Sequence, residues 1–168
     1  MKLLKVLVMS IAFTASLLGA QRLLAADPIP AGLLKFAGHA DGTYKPCSLA
    51  VRSGEYAFNV DDQPCTNDRM NYFQFDGAPS ATLITLYSNS NKGKKTCEEN
   101  SGVTHGWKYT IKTIKQPTTT QWVKIDDLHS KLVDDIVVAG VVLVEKYERS
   151  GDRIDELSCV KVVRSDLP

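Results

Sequence analysis

Four cysteines, Cys47, Cys65, Cys97 and Cys159, are the residues of this 168-residue chain whose number and spacing best define a chemistry. An even number of cysteines in an exported chain is typical of disulfide bonds. A zinc site needs closely spaced ligand pairs such as C-x-x-C, and the sequence contains none. We therefore expect two disulfides. Of the three possible pairings, Cys47 with Cys65 and Cys97 with Cys159 is favoured, because the first pair flanks one apparent hairpin.

Histidines and paired carboxylates are the other groups that could do chemistry. The three histidines are His39, His105 and His129. Their spacing defines no zinc or nucleophile motif. Adjacent acidic residues occur at Asp61-Asp62, Asp126-Asp127 and Asp134-Asp135. Two carboxylates could act as acid and base on a glycoside, but neighbours on a strand point to opposite faces, so such pairs are more typical of turns and caps. We predict no catalytic residues and a non-enzymatic protein, with a small secreted hydrolase as the alternative.

Residues 1–26 predict the compartment in which the cysteines work. The first five residues include two lysines, Val6 to Ala20 is an apolar run, and Leu24-Ala25-Ala26 places small residues before a polar one. This pattern indicates a signal peptide cleaved after residue 26, or alternatively after residue 20. The apolar run is shorter than the roughly 20 residues that a membrane-spanning helix needs. We expect an exported protein without stable membrane insertion, in the periplasm or the extracellular medium.

Length and charge limit the class of protein that remains. The chain has 20 basic and 19 acidic residues, and residues 1–26 hold three basic residues and no acid, so the other 142 residues have 17 against 19, a net charge of −2. This balance gives no electrostatic basis for binding nucleic acid. Residues 27–46, rich in proline and glycine, predict an irregular N-terminal segment with one short apolar piece at Leu33–Ala37. A single β domain is predicted over residues 47–168.

Short runs rich in β-branched and aromatic residues, separated by turn-forming stretches, indicate β-strands from Cys47 onward. The predicted strands are Tyr56–Val60, Tyr72–Phe75, Ala81–Tyr87, Trp107–Ile114, Ile136–Tyr147 and Ser158–Val163. One short helix is predicted over Ile125–Val133, with Leu128, Leu132 and Val133 at helical spacing. The spacing of these elements predicts an all-β fold, an antiparallel sandwich or barrel with that one helix.

The segment from Gly54 to about Glu98 carries a resemblance to a known superfamily. It contains Asn67-Asp68-Arg69-Met70-Asn71-Tyr72-Phe73-Gln74-Phe75, and later Leu86-Tyr87 followed by a polar stretch with Gly93. These residues resemble the junction of two Greek-key motifs in the βγ-crystallin superfamily. There, a segment N/D-N/D-x-x-S/T-S leads into a strand, and the next motif has Leu-Tyr, a short polar arch and a glycine. The resemblance implies a disulfide-braced antiparallel Greek-key sandwich.

The resemblance also implies a Ca²⁺ site, because oxygens of this segment coordinate the ion in that superfamily. Matched position by position, the candidate ligands are Asn67, Asp68, the carbonyl of Arg69 and Asn71. Asn71 departs from the family's Ser or Thr, and the next residue is Tyr72 where the family has Ser. Calcium takes six to eight oxygen ligands, and one such segment supplies part of that shell. The alternative is a structural turn, since an Asn-Asp pair also starts turns without an ion.

Binding is the function that a rigid exported β domain without a catalytic motif favours, because such a scaffold presents loops at low entropic cost. We expect a protein partner, an envelope-acting enzyme or toxin, and hence a module of inhibitor or immunity type. A calcium-binding structural module is the alternative. The residues predicted to contact the partner are two aromatic anchors and a basic cluster: Trp107, Trp122, Lys92, Lys94 and Lys95. Alternatively, the two tryptophans lie in the hydrophobic core and the three lysines lie in a solvated hairpin loop.

Overall fold

The fold is seen in a computed structural model that describes residues 31–88, 96–97, 106–149 and 157–165. The predicted signal peptide, residues 1–26, lies outside the described residues. In the described ranges, no helix is both long enough and apolar enough to cross a membrane.

Ten strands and one short 3₁₀ helix make up the described part of the chain, which confirms the all-β prediction. The elements are β1 (Leu33–Ala37), β2 (Cys47–Ala50), β3 (Gly54–Ala57), β4 (Tyr72–Asp76), β5 (Leu83–Tyr87), β6 (Trp107–Thr113), β7 (Val123–Lys124), the 3₁₀ helix (Ile125–Ser130), β8 (Ile136–Val138), β9 (Val141–Glu148) and β10 (Cys159–Val163). They form a four-stranded sheet, β2-β1-β4-β7, and a six-stranded sheet, β3-β10-β5-β6-β9-β8. Neighbouring strands are antiparallel in both sheets.

One hydrophobic core receives side chains from both sheets. Alternate residues of each strand point inward, as the two-residue period of a strand requires. Large core side chains from the two sheets are Leu34, Phe36, Phe73, Phe75, Ile84, Leu86, Tyr109, Ile111, Leu143 and Val162. Burying an aliphatic or phenyl side chain of this size stabilises the fold by roughly 1.5–3 kcal/mol. The core is therefore a main source of the stability of the domain.

Both predicted disulfides are present, in the predicted pairing. Cys47 pairs with Cys65 and Cys97 with Cys159, at Cα–Cα distances of 5.2 and 5.4 Å. The second disulfide is buried in a small cluster with Ala57 of β3. Two disulfides indicate that the protein folds in an oxidising compartment.

The segment that the sequence predicts to be irregular contains a central strand. Leu33–Ala37 forms β1, which pairs with β2 on one side and with β4 on the other. Leu34 and Phe36 point into the core. A five-residue apolar run among glycines and prolines is too short to indicate a strand by its own alternation. Pairing with β2 and with the more distant β4 makes it one.

Two elements of the second half differ from their predictions. The predicted helix Ile125–Val133 is a 3₁₀ helix that ends at Ser130, and the next residue, Lys131, is extended with φ −85° and ψ 149°. The predicted strand Ile136–Tyr147 is a hairpin, because the chain turns back between Val138 and Val141. Both differences leave apolar residues exposed at the end of the six-stranded sheet, among them Leu132, Val133 and Ile136.

Candidate protein-binding surface

An exposed apolar patch lies where the chain leaves the 3₁₀ helix and enters β8. The side chains of Leu132, Val133 and Ile136 are 72%, 48% and 54% exposed; we call these three residues the edge surface. β8 is the last strand of the six-stranded sheet, and its outer side pairs with no strand of the described residues. An apolar edge strand is a surface that another protein can cover or extend by strand pairing.

Hydrogen bonds hold the turn that carries the edge surface. The Asp135 carboxylate accepts from the Leu132 N–H at 2.8 Å, and the Asp135 N–H donates to the Leu132 carbonyl at 3.1 Å. β9 fixes the same turn, since the Asp134 N–H donates to the Leu143 carbonyl at 2.7 Å and the Leu143 N–H donates to the Asp135 carbonyl at 3.0 Å. The adjacent aspartates thus form a turn, and they present apolar side chains that are already ordered. Pre-ordering reduces the entropy lost when a partner binds.

A polar cluster anchors the 3₁₀ helix beside the edge surface. Glu148 Oε1 accepts a hydrogen bond from the Tyr109 hydroxyl at 2.5 Å, and it lies 2.9 Å from His129 Nδ1 and 3.2 Å from Lys146 Nζ. Lys146 Nζ also donates to the carbonyls of His129 and Lys131. The cluster therefore ties the end of the 3₁₀ helix, and the residue that follows it, to β6 and β9.

The protonation states of the cluster follow from its contacts. Burial disfavours the charged form of Glu148, but hydrogen bonds from Tyr109, His129 and Lys146 outweigh burial and lower the pKa of Glu148 below its ordinary value. Burial, followed by the hydrogen bond to Glu148, raises the pKa of Tyr109. At neutral pH a neutral phenol therefore donates to an ionised carboxylate, which makes a strong hydrogen bond. These contacts give the cluster a structural role, and we call Tyr109, His129, Lys146 and Glu148 the clamp.

Trp107 is buried, 1% exposed, and stacks on Tyr109 with ring centroids 5.0 Å apart. This placement corrects the expectation that Trp107 lies on a contact surface. The reason is register, since Trp107, Tyr109 and Ile111 alternate along β6 and all point into the core. The sequence allowed Trp107 to lie either on a contact surface or in the core, and it lies in the core.

Trp122 is half-buried and borders a groove on the four-stranded sheet, so it is the accessible one of the two predicted anchors. The predicted basic residues Lys92, Lys94 and Lys95 lie outside the described residues. Among the predicted partner-contacting residues that the structure describes, Trp107 lies in the core and Trp122 beside the groove, and the edge surface contains neither.

The predicted calcium segment forms a hydrogen-bonded turn. The Asn67 amide donates to Asp68 Oδ2 at 2.6 Å, and the Ser158 hydroxyl donates to Asp68 Oδ1 at 3.1 Å. Asp68 itself has a left-handed φ of 56°. The Asn71 amide is 3.4 Å from the Gly38 carbonyl, to which it donates.

The fit of this segment to calcium is partial. Asn67 Oδ1 is buried and has no hydrogen-bond partner within the described ranges, so it could serve as one oxygen ligand. Both Asp68 carboxylate oxygens already accept hydrogen bonds from Asn67 and Ser158. Within residues 31–88, 96–97, 106–149 and 157–165, no three His, Cys, Asp or Glu side chains are grouped to hold a metal ion. Calcium binding by Asn67, Asp68, Arg69 and Asn71 stays a prediction.

Sequence reasoning missed both the clamp and the edge surface. Tyr109, His129 and Glu148 lie about 20 residues apart along the chain and form no motif. For the edge surface a signal was present, since two aspartates interrupt the apolar residues between Val133 and Ile136, and such an interruption is typical of a turn.

Comparison of the chain with protein-family models, with curated proteins and with solved structures found no match. The resemblance of residues 54–98 to βγ-crystallins therefore stays a prediction from those residues. Function has to be inferred from the contacts of the chain itself.

Proposed function

We propose that this protein is an exported, non-enzymatic β domain that binds a protein partner through the edge surface, as an inhibitor or a toxin-neutralising immunity protein does. The observation that carries the proposal is the exposure of Leu132 and Val133, in the turn before β8, together with that of Ile136, the first residue of this edge strand. The signal peptide at residues 1–26 is part of the proposal, and the two disulfides support export.

The affinity that each side chain of the edge surface contributes can be estimated from its exposed area. Fully burying a leucine, isoleucine or valine side chain contributes roughly 1.5–3 kcal/mol, and these three side chains already have about half of their surface or less covered. Removing one anchor of this kind from an interface costs about 1–2 kcal/mol, or roughly tenfold in Kd. Backbone hydrogen bonds to the outer side of β8 would add affinity by strand addition.

Charge beside the edge surface indicates the chemistry of the partner. Asp134 is exposed in the same turn and makes no ion pair with any residue that the structure describes. Complementary charge at the rim of an interface steers association. The partner therefore presents an apolar surface with a basic group at its margin.

A matched pair of valines tests the proposal. Val133 and Val163 are 48% and 45% exposed, so Val133→Asp and Val163→Asp place the same charge at similar exposure. Val133 precedes the edge strand β8, whereas Val163 is on β10, which lies toward the other end of the six-stranded sheet. The oxidised protein is immobilised, and envelope and secreted proteins of the producing organism are passed over it. The Kd of each retained protein is then measured by surface plasmon resonance. We expect Val133→Asp to weaken binding at least tenfold and Val163→Asp to leave it within about twofold.

Two results would contradict the proposal in different ways. If the parent retains no protein, the assignment as a protein-binding module is wrong. If a protein is retained and both variants bind it like the parent, the edge surface is not the binding surface.

We also propose the finer architecture, a Greek-key sandwich of βγ-crystallin type. Its support is the path of residues 54–87, which run from β3 in the six-stranded sheet to β4 in the four-stranded sheet and back to β5 in the six-stranded sheet. Crossing between sheets in this way is characteristic of Greek-key sandwiches.

A further inference from the structure

A groove of about 400 Å³ lies on the four-stranded sheet, away from the edge surface. Part of its lining is a row of side chains across three neighbouring strands, because Lys35 of β1 is in register with Ser48 of β2 and with Gln74 of β4. Phe36 of β1, Cys47 of β2, the loop between these strands and Trp122, which precedes β7, complete the lining. The volume is within the range of sites that hold small molecules.

The loop between β1 and β2 packs against the Trp122 indole. A Cβ atom at Gly42 would lie 2.8 Å from both Nε1 and Cζ2 of the ring, so the glycine backbone makes the contact. The Asp41 carboxylate accepts hydrogen bonds from the Thr43 N–H at 2.9 Å and from the Thr43 hydroxyl at 2.6 Å. The Gly42 N–H donates to the His39 carbonyl at 3.0 Å. The groove is thus a built site with an ordered aromatic wall.

The polar side chains of the groove are two neutral ones, Gln74 and Ser48, and two charged ones, Lys35 and Asp41. Gln74 Nε2 donates to the Thr120 carbonyl at 2.8 Å, which fixes the amide. Gln74 Oε1 and the Ser48 hydroxyl have no hydrogen-bond partner in the part of the chain that the structure describes. The Lys35 ammonium is compensated by Asp76 Oδ2 at 2.6 Å. An anionic ligand would therefore find no unpaired cation here, and it would meet the Asp41 carboxylate.

An aromatic ring beside uncharged hydrogen-bonding groups fits the chemistry of a sugar. The axial C–H groups of a pyranose carry partial positive charge and are attracted to the negative face of an indole. Its hydroxyls donate to amide or carboxylate oxygens and accept from a serine hydroxyl. A purely apolar side chain of a peptide would instead bury Ser48 and Gln74 without partners.

We infer that this groove binds one pyranose unit of an uncharged glycan. The Trp122 ring contacts the C–H face of the sugar, and Gln74, Ser48 and Asp41 hydrogen-bond to its hydroxyls. This site is separate from the edge surface, so the protein has a glycan-binding face in addition to a protein-binding edge.

The two tryptophans make a direct test possible by NMR spectroscopy. The ¹⁵N-labelled protein gives one indole N–H resonance from Trp122 and one from Trp107, and the buried Trp107 serves as the internal reference. The probes are the methyl β-pyranosides of glucose, galactose and N-acetylglucosamine, each titrated to about 50 mM, well above a millimolar Kd. We expect a saturable shift of the Trp122 resonance with at least one probe and no shift of the Trp107 resonance.

Two variants connect the shift to the groove. Gln74→Ala removes an acceptor, and we expect it to raise the Kd of the sugar about tenfold. Gly42→Ala places a methyl group against the Trp122 ring, and we expect it to abolish the shift. Gly77→Ala is its control: both glycines have a positive φ, +80° and +68°, but a Cβ atom at Gly77 would meet nothing within 4 Å. Gly77→Ala therefore introduces the same kind of backbone strain as Gly42→Ala, and we expect it to bind the sugar like the parent.

Three results would overturn the inference. The Trp122 resonance could stay unmoved by every probe, or move equally in the parent and in Gln74→Ala. It could also respond to an aromatic tripeptide and to none of the sugars, which would reassign the groove to peptide binding. Because Val133→Asp changes a different face, its effect on a protein partner is independent of all three.

Discussion

The two disulfides should contribute unequally to the free energy of unfolding, because they close loops of different length. Cys47 and Cys65 are 18 residues apart, and Cys97 and Cys159 are 62 apart. In the chain-entropy treatment, closing loops of these lengths in the unfolded chain contributes about 3 and about 4 kcal/mol. The double variants Cys47→Ala/Cys65→Ala and Cys97→Ala/Cys159→Ala should therefore differ by about 1 kcal/mol from loop length alone.

Burial increases that difference. Cys97 and Cys159 are both fully buried, in a cluster with Ala57 and Tyr87, whereas in the first pair Cys65 is buried and Cys47 is half-buried. Replacing two buried sulfur atoms by hydrogen leaves space that the cluster has to close, at a cost of about 1 kcal/mol. We expect losses of about 3–4 kcal/mol for the first bridge and about 5 kcal/mol for the second. A small domain has about 5–15 kcal/mol in total, so the second loss is a third or more of the stability.

Urea denaturation at pH 7, followed by circular dichroism, measures both losses by linear extrapolation. The single variant Cys97→Ala is the control. It also removes the bridge, so it should lose nearly as much stability as the double variant if the bridge is the cause. Equal losses from the two bridges, or a larger loss from the 18-residue loop, would refute the loop-length reasoning.

Two further predictions concern the clamp and the calcium segment. Tyr109→Phe removes a hydrogen bond to the charged Glu148 and should cost roughly 1.5–3 kcal/mol at pH 7, against less than about 0.5 for the exposed Tyr147→Phe. Because the pKa of Glu148 is lowered in the folded state, the stability that it contributes is present above its unfolded pKa and is lost as pH falls through the folded pKa. The difference in urea midpoint between the parent and Tyr109→Phe should therefore become smaller at acid pH. A difference that stays constant from pH 7 to about pH 3 would contradict the conclusion that Tyr109 stabilises the fold by bonding to ionised Glu148. If the predicted calcium site is present, millimolar Ca²⁺ should raise the Tm of the parent and not that of Asp68→Ala. At a calcium concentration a hundredfold above Kd, the added free energy of unfolding is about 2.7 kcal/mol. A parent whose Tm is the same in chelator and in calcium would have a structural turn at this segment and no ion site.

The class of fold and the disulfide pairing could be predicted from the sequence because both depend on local pattern. Alternation with a period of two residues marks β4, β5 and β6 within a few positions of their observed ends. The pairing of Cys47 with Cys65 is predicted from an apparent hairpin, and it leaves Cys97 and Cys159 to pair with each other. The pairing is confirmed, but the hairpin is wrong, because β2 and β3 lie in different sheets. Turn chemistry at the paired aspartates is likewise local, and the Asp134-Asp135 pair forms the turn that such a pair indicates.

Burial and the composition of each site were decided by tertiary structure. Trp107 and Trp122 are equivalent as residue types, and only the inward register of β6 makes one of them core and leaves the other beside a groove. Lys35, Ser48 and Gln74 form one row because three strands align them, although they are far apart in sequence. The clamp on Glu148 and the exposure of Leu132 arise in the same way. The two-residue alternation of a strand determines which of its side chains share a face. The contacts of that face depend on the strands that pack beside it and across from it, and these strands come from distant parts of the chain.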